Sequence, residues 1–258
     1  MIDYEEKAIK ELKVWQAKMR KKPSISNRLS KGMQKKMNNI LPEKFHYIVT
    51  ETIKTMTKAV LTGSKYITKQ PMEVGSLEER ERKVGDKIKF YKKAASVSGA
   101  GIGAGGILVG LADLPVLLSI KMKFLFDTAG IYGFDVQDYK ERIFILNVFE
   151  LAFSSQGKRN VVYERILDWD EYSKSLPDDI NSFEWKDFQQ EYRDYIDLAK
   201  MLQLIPGIGS VVGAYSNYQL MDKLGEIAVN CYRLRLFNQR LSYEPSELIN
   251  KNVLRKKS

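Results

Sequence analysis

The sequence predicts an all-α protein, a single helical domain of about eight to ten helices around a central pair of glycine-rich ones. Three observations predict it. Apolar residues recur three and four positions apart in nearly every segment, the period of a helix face rather than of a strand. Runs of β-branched residues separated by Gly/Asn turns at strand spacing do not occur. Two uncharged stretches, 94–112 and 201–221, thread glycine at helical spacing through an otherwise charge-rich chain.

The elements follow in order. Residues 2–21 place Ala8, Leu12, Trp15 and Met19 on one stripe with lysines around the rest, an amphipathic basic helix. Pro23 stops it, because proline lacks an N–H and biases Lys22 away from helix. A short basic helix is expected over about 29–40. Pro42 opens a helix over about 43–62, with Phe45, Ile48, Val49, Thr52, Ile53, Met56 and Val60 on its apolar face and Gly63 at its end. Residues 70–75 read as a connection. Ser76 and Glu79 have capping-box spacing for the next helix, Leu77 to about Ser96, which is highly charged and leads into the first glycine stretch. Asp113 is placed to N-cap a helix reaching about Tyr132, after which Gly133 and Asp135 mark a turn. Tyr139–Ser155 is a strongly apolar helix, and residues 154–157 read as loop. Residues 160–180 hold a shorter helix and an acidic connection containing Pro177. Asn181 or Ser182 begins a helix over about 183–204, and Pro206-Gly207 separates it from a final helix to about Arg240. The organisation is then a basic amphipathic arm over 1–42, an all-α core over 43–240 and a basic tail over 241–258.

The glycine stretches set the expected packing. Ala95, Gly99, Gly103, Gly106, Gly110 and Asp113 step by 4, 4, 3, 4 and 3, so one helix face is almost bare. Pro206, Gly209, Gly213 and Ser216 repeat the pattern. Glycine costs about 1 kcal/mol per helix position relative to alanine. Close approach by another helix compensates, which makes Gly99, Gly103, Gly106, Gly110, Gly209 and Gly213 the expected helix-packing residues. The first stretch, at 1.5 Å rise per residue, covers roughly 28 Å, so a membrane hairpin is the alternative. Its glycine-rich composition, and Pro206, Asn217 and Gln219 in the second stretch, favour a soluble core instead.

Composition narrows the chemistry. One cysteine, Cys231, and one histidine, His46, exclude a disulfide framework and a zinc site built from several such ligands. No cofactor and no metal site is expected. The charged opening 1–13 has no apolar core of signal-peptide length, so the expected location is cytoplasmic, peripheral to the inner face of the cell membrane. The net charge of +10 is uneven: Leu12–Pro42 holds nine cations and no acids, whereas Asp168–Asp197 holds ten acids against three cations. Lys13, Lys18, Arg20, Lys21, Lys22 and Arg28 are the expected contacts to an anionic membrane surface or an acidic partner. Nucleic acid is not the expected partner, because only Trp15 and Tyr4 interleave with this charge.

Catalytic patterns are thin. Gly101-x-Gly103-x-x-Gly106 matches a dinucleotide fingerprint in spacing, but it follows a lysine-rich helix rather than a strand. Asp113 is the only charge between Lys93 and Lys121, which makes it either an N-cap or a buried acid with a raised pKa. Gln190, Glu191, Asp194 and Asp197 share a helix and either line an acidic groove or form a solvated face. No nucleophile accompanies either set.

The stretches KAIKELKVWQAKMRKKPS, NRLSKGMQKKMNNILPEKFH, KAVLTGS, GAGIGAGGILVGLADLPVLLSIKMKFLFDTAGIYGFD and FQQEYRDYIDLAKMLQLIPGIGSVVGAYSNY resemble the EcsC family, with the glycine run before Leu-Ala-Asp-Leu-Pro most distinctive. The resemblance reaches from near the N-terminus to about residue 235. It implies a bacterial, Gram-positive, intracellular protein linked by context to an ABC transporter or secretion, and it brings no catalytic residues. The function expected is therefore a non-enzymatic accessory or interaction protein at the cytoplasmic membrane face, with ABC transporter components as partners. The alternatives are a membrane-inserting glycine-zipper protein and a carboxylate-based, metal-dependent enzyme.

Overall fold

The computed structural model describes residues 2–21, 43–63, 66, 71–100, 114–154, 156–178, 182 and 212–243. In chain order the helices are α1 (Ile2–Arg20), α2 (Glu43–Thr62), α3 (Leu77–Ala100), α4 (Leu114–Tyr132), α5 (Tyr139–Phe153), α6 (Gln156–Leu167), α7 (Trp169–Ser175) and α8 (Val212–Tyr243). No extended strand occurs among the described residues, and the class is all-α. The helices expected over 29–40 and 183–204, the glycine stretch over 101–113, the Pro206 break and the tail beyond 243 lie outside the described residues.

Local chemistry explains several helix ends. Ser76 and Glu79 form the capping box in both directions: the Ser76 amide donates to Glu79 Oε2 at 2.9 Å and the Glu79 amide to Ser76 Oγ at 3.2 Å. Asp138 caps α5, accepting from the Lys140 amide at 2.9 Å. Gly133 closes α4 in a left-handed conformation, φ 93°. There Phe134 N donates to Ala129 O and Gly133 N to Gly130 O, the Schellman pair that satisfies two late carbonyls. Two arginines serve C-termini from a distance. Arg80 on α3 donates to Ile131 O at 2.6 Å and Met72 O at 2.9 Å, and Arg142 on α5 donates to Leu61 O at 2.9 Å. Cations suit these positions because the last turn of a helix exposes unpaired carbonyls at the negative end of its dipole.

Three readings differ from the sequence expectation. The one shorter helix expected within 160–180 is two, α6 and α7, which adjoin at Asp168. α3 continues past Ser96 to Ala100. The expected 154–157 loop is only a break at Ser154, and α6 starts again at Gln156. Gly157 therefore falls in a first helical turn, where the amides have no intrahelical partner in any case and glycine disturbs least.

Among the described residues the centre belongs to α5. It is buried on every side from Glu141 to Phe153, with α2, α4, α6 and α8 packed around it. α3 lies along both α8 and α4, and α1 crosses α3, α6 and α8. One continuous apolar core takes residues from all eight helices, including Ala8, Leu12, Trp15 and Met19 of α1. At its middle, Tyr132 stacks on Tyr232 at 5.2 Å, and Phe144 meets the edges of Tyr232 and Trp169 at 5.3 and 4.9 Å. Cys231 is buried beside them on α8.

The glycine at which the described helices approach closely is Gly225 on α8. A Cβ placed there would lie 2.6 Å from Ile88 Cδ1 of α3. Gly85 of α3 has no heavy atom within 4 Å of the equivalent point apart from its own helix backbone. The two glycines therefore have opposite consequences. Gly85→Ala is expected to raise stability by about 1 kcal/mol through helix propensity. Gly225→Leu is expected to lower it by about 1–3 kcal/mol by forcing α3 and α8 apart. Urea melts of both variants check this, and a Gly225→Leu protein as stable as the parent would remove the close approach from the account.

Lys121 is the anomaly of the core. Its side chain is 0% exposed on α4 and its ammonium nitrogen has no hydrogen-bond partner among the described residues. Burial alone pushes its pKa down to about 7 from 10.5. The unfolded chain therefore holds a proton that the folded chain gives up between those values. Stability should rise with pH over that window, by at most about 1.4 kcal/mol per unit. Below the folded value the buried charge carries its full penalty. Lys121→Met, which keeps the volume, is expected to be more stable at pH 7 and to lose that gain progressively as the pH rises from 7 towards 10.5. Equal pH slopes for parent and variant in urea melts would show that Lys121 carries no such penalty.

Candidate functional site

The first arm helix has two opposite faces. Its apolar stripe is committed to the core: Trp15 meets Tyr163 of α6 edge-on at 5.7 Å, and Arg159 of α6 donates to Met19 Sδ at 2.9 Å. Trp15 and Leu12 are thus unavailable to a lipid surface. What α1 presents outward is Lys10, Lys13, Val14, Ala17 and Arg20, followed by Lys21 just past its end, all exposed, with Val14 71% so. Lys18 sits at the edge of this face, 3.3 Å from Glu226 of α8.

A buried ion cluster holds that helix in place. Arg233 on α8 grips Glu81 of α3 with two parallel bonds of 2.6 Å and reaches Glu11 of α1 at 2.9 Å. The Tyr4 and Tyr132 hydroxyls donate to the same Glu81 carboxylate at 2.8 and 3.3 Å. Desolvation works against the Arg233 charge, but its bonds to Glu81 outweigh it and hold the pKa above the usual value. Burial first, and then the Glu81 contact, pushes Tyr4 up to about 12. A second cluster lies on the other side of α8. Arg235 pairs with Glu141 of α5, Tyr232 donates to the same carboxylate at 2.8 Å, and the guanidinium lies 3.9 Å from the Phe134 ring centre. Burial nevertheless raises the Glu141 pKa, outweighing the Arg235 pair.

Between α3, α4 and the 71–76 connection opens a cleft of about 570 Å³. Met72, Phe90, Phe126, Ile131 and Val136 give it apolar walls, and Lys83, Lys87, Asp86 and Asp127 give it a charged rim. Asp127 is held by two ammoniums, Lys87 and Lys123, each at 2.6 Å, and by the Tyr91 hydroxyl at 3.0 Å. Burial opposes its ionisation, but these two lysines outweigh burial and keep its carboxyl below the ordinary value.

The expected site residues divide between described and undescribed positions. Lys13, Lys18, Arg20 and Lys21 are on α1 or next to it and exposed, whereas Lys22 and Arg28 lie outside the described residues. Gly99 and Gly213 fall within α3 and α8, near the ends that adjoin the glycine stretches. Gly103, Gly106, Gly110, Gly209, Asp113, Gln190, Glu191, Asp194 and Asp197 lie outside the described residues. The clusters of Glu81, Arg233, Glu141, Arg235 and Asp127 are not in the sequence reading. A usable signal existed for four of them: Asp127, Glu141, Arg233 and Arg235 each stand inside or beside a strongly apolar run, where an ionisable group needs a partner.

Among the described residues no group of His, Cys, Asp and Glu has the arrangement of a metal site, and no helix is long and apolar enough to cross a membrane. No solved structure matches the chain. Protein EcsC of Bacillus subtilis (strain 168) is 45% identical over 226 residues, covering 87% of this chain and 93% of that protein. The protein YdbA of the same organism is 29% identical over 262 residues, covering 93% of this chain and 95% of that one. Residues 6–237, which include most of α1 and of α8 and the charged members of both buried ion clusters, match the EcsC protein family, and the chain therefore belongs to that family.

Proposed function

We propose that this chain is a non-enzymatic accessory protein that docks on the cytoplasmic face of the membrane, beside an ABC transporter or secretion apparatus. The observation that carries the reading is the outward face of α1. Its apolar stripe is used up in the core and Arg233 fixes it through Glu11, so Lys10, Lys13 and Arg20 are presented on a rigid helix, with Lys21 directly after its last residue. Such a face attracts anionic headgroups at about 1 kcal/mol per near-surface cation, without inserting. The attraction is screened by salt within about 10 Å at 0.1 M. Family context, as the resemblance implies it, directs the choice of a transporter neighbourhood.

Co-sedimentation with phosphatidylglycerol and phosphatidylcholine vesicles tests this. Binding is expected only to the anionic vesicles, with loss at high salt and release by an alkaline carbonate wash. The triple variant Lys10→Gln, Lys13→Gln, Lys21→Gln should bind roughly a hundredfold more weakly, from three contributions of about 1 kcal/mol. Equal binding to neutral vesicles, or an unaffected triple variant, would sink the reading. Retention after the wash would point to insertion of the glycine segments instead.

A further inference from the structure

The α3–α4 cleft has the make-up of a ligand site, separate from the outward face of α1. Its volume of about 570 Å³ falls within the usual range for small-molecule pockets. Two features speak against a chance gap in packing. Gly130 lies on the cleft wall inside α4, where glycine weakens a helix, yet apart from its own helix backbone no heavy atom lies within 4 Å of a Cβ built there. Among the described residues no group uses the space that the missing side chain leaves. Phe90 stands at the mouth with 62% of its surface exposed, next to the apolar walls it could close over.

The charges select the ligand. Asp127 is shared between Lys87 and Lys123, and the Lys87 ammonium, which lines the cleft, spends one of its three donors on that carboxylate. Lys83 adds a second ammonium, 3.4 Å from the Met72 thioether and with no carboxylate in ion-pair range among the described residues. The rim acid Asp86 is engaged by Lys89 at 3.5 Å. An apolar trough with two ammonium groups at its edge, Lys83 and Lys87, suits a molecule with an apolar body and an anionic end. We propose that this cleft binds a single-chain anionic lipid, its acyl chain along Phe126, Ile131 and Val136 and its headgroup at Lys83 and Lys87. A fatty-acid carboxylate and a lysophospholipid phosphate both supply the required acceptor oxygens.

The test uses the full chain and dansylaminoundecanoic acid as a fluorescent probe, displaced by dodecanoic acid, by its methyl ester, or by lauroyl lysophosphatidic acid. Saturable probe binding is expected, with the charged competitors displacing it at least about tenfold better than the ester. Stronger displacement by dodecanoic acid assigns a carboxylate ligand, and stronger displacement by the lysophosphatidic acid assigns a phosphate. Lys83→Glu, an exposed change, should weaken the charged competitors about tenfold and leave the ester unchanged. Gly130→Leu, whose side chain grows into the open cleft from a helical backbone, should abolish probe binding while the helical circular dichroism and melting midpoint stay at or above the parent's. No saturable binding, equal displacement by the ester, or undiminished binding in a folded Gly130→Leu variant would each overturn the proposal.

Discussion

The fold depends on one buried cation. Removing an arginine from water costs several kcal/mol even after the protein relaxes. Arg233 meets that cost only because two carboxylates and a bidentate geometry surround it. Those carboxylates come from α3 and α1, so the charge is satisfied only when three helices are assembled. Tyr4 and Tyr132 complete the arrangement by donating to Glu81, which leaves few alternative ways to pair the group. The contribution to net stability of such a cluster is modest against an apolar replacement, but losing one partner leaves an uncompensated charge. Its main effect is on position: α1 is tied to α8 and α3 at a fixed rotation.

Arg235 applies the same constraint from the opposite side. Residues two apart on a helix point about 200° away from each other. Arg233 accordingly faces α1 and α3 while Arg235 faces α5 and the aromatic group of Phe134, Phe144 and Trp169. A rotation of α8 that relieves one cluster breaks the other. Gly225, pressed against Ile88, sets the distance between α8 and α3 where the ion pairs set the angle. The outward cations of α1 inherit this rigidity, and so does the α3 wall of the cleft.

What the sequence made legible was local. The Ser76–Glu79 capping box, the Gly63 and Gly133 stops and the amphipathic stripe of α1 are each written within a few residues and appear as read. The restart of α6 at Gln156 was not legible, because a Ser-Ser-Gln-Gly run satisfies a loop and a first helical turn equally. The ion clusters were hidden for a different reason. Arg233 and Glu81 are 152 positions apart, and Glu81 is one of many charges on α3, so nothing nearby marks it as the one that is buried. The stripe of α1 identified which residues would be buried but not what would bury them. That distinction decides whether Trp15 meets lipid or Tyr163. Gly225 stands outside the glycine-dense stretches and is marked only by small neighbours at helical spacing, Ala228 and Cys231.

Cys231 gives the molecule a built-in reporter. It is the only thiol in the chain, it is fully buried on α8, and burial raises its pKa further from the reactive thiolate form. A disulfide reagent reaches it only after α8 has left its neighbours. Where reclosing is faster than labelling, the modification rate reads the equilibrium population of opened molecules; where reclosing is slower, it reads the opening rate itself. One unmodified sulfur thus serves as a clock for the separation of the helices that Arg233 and Arg235 hold together, with no added dye or engineered site.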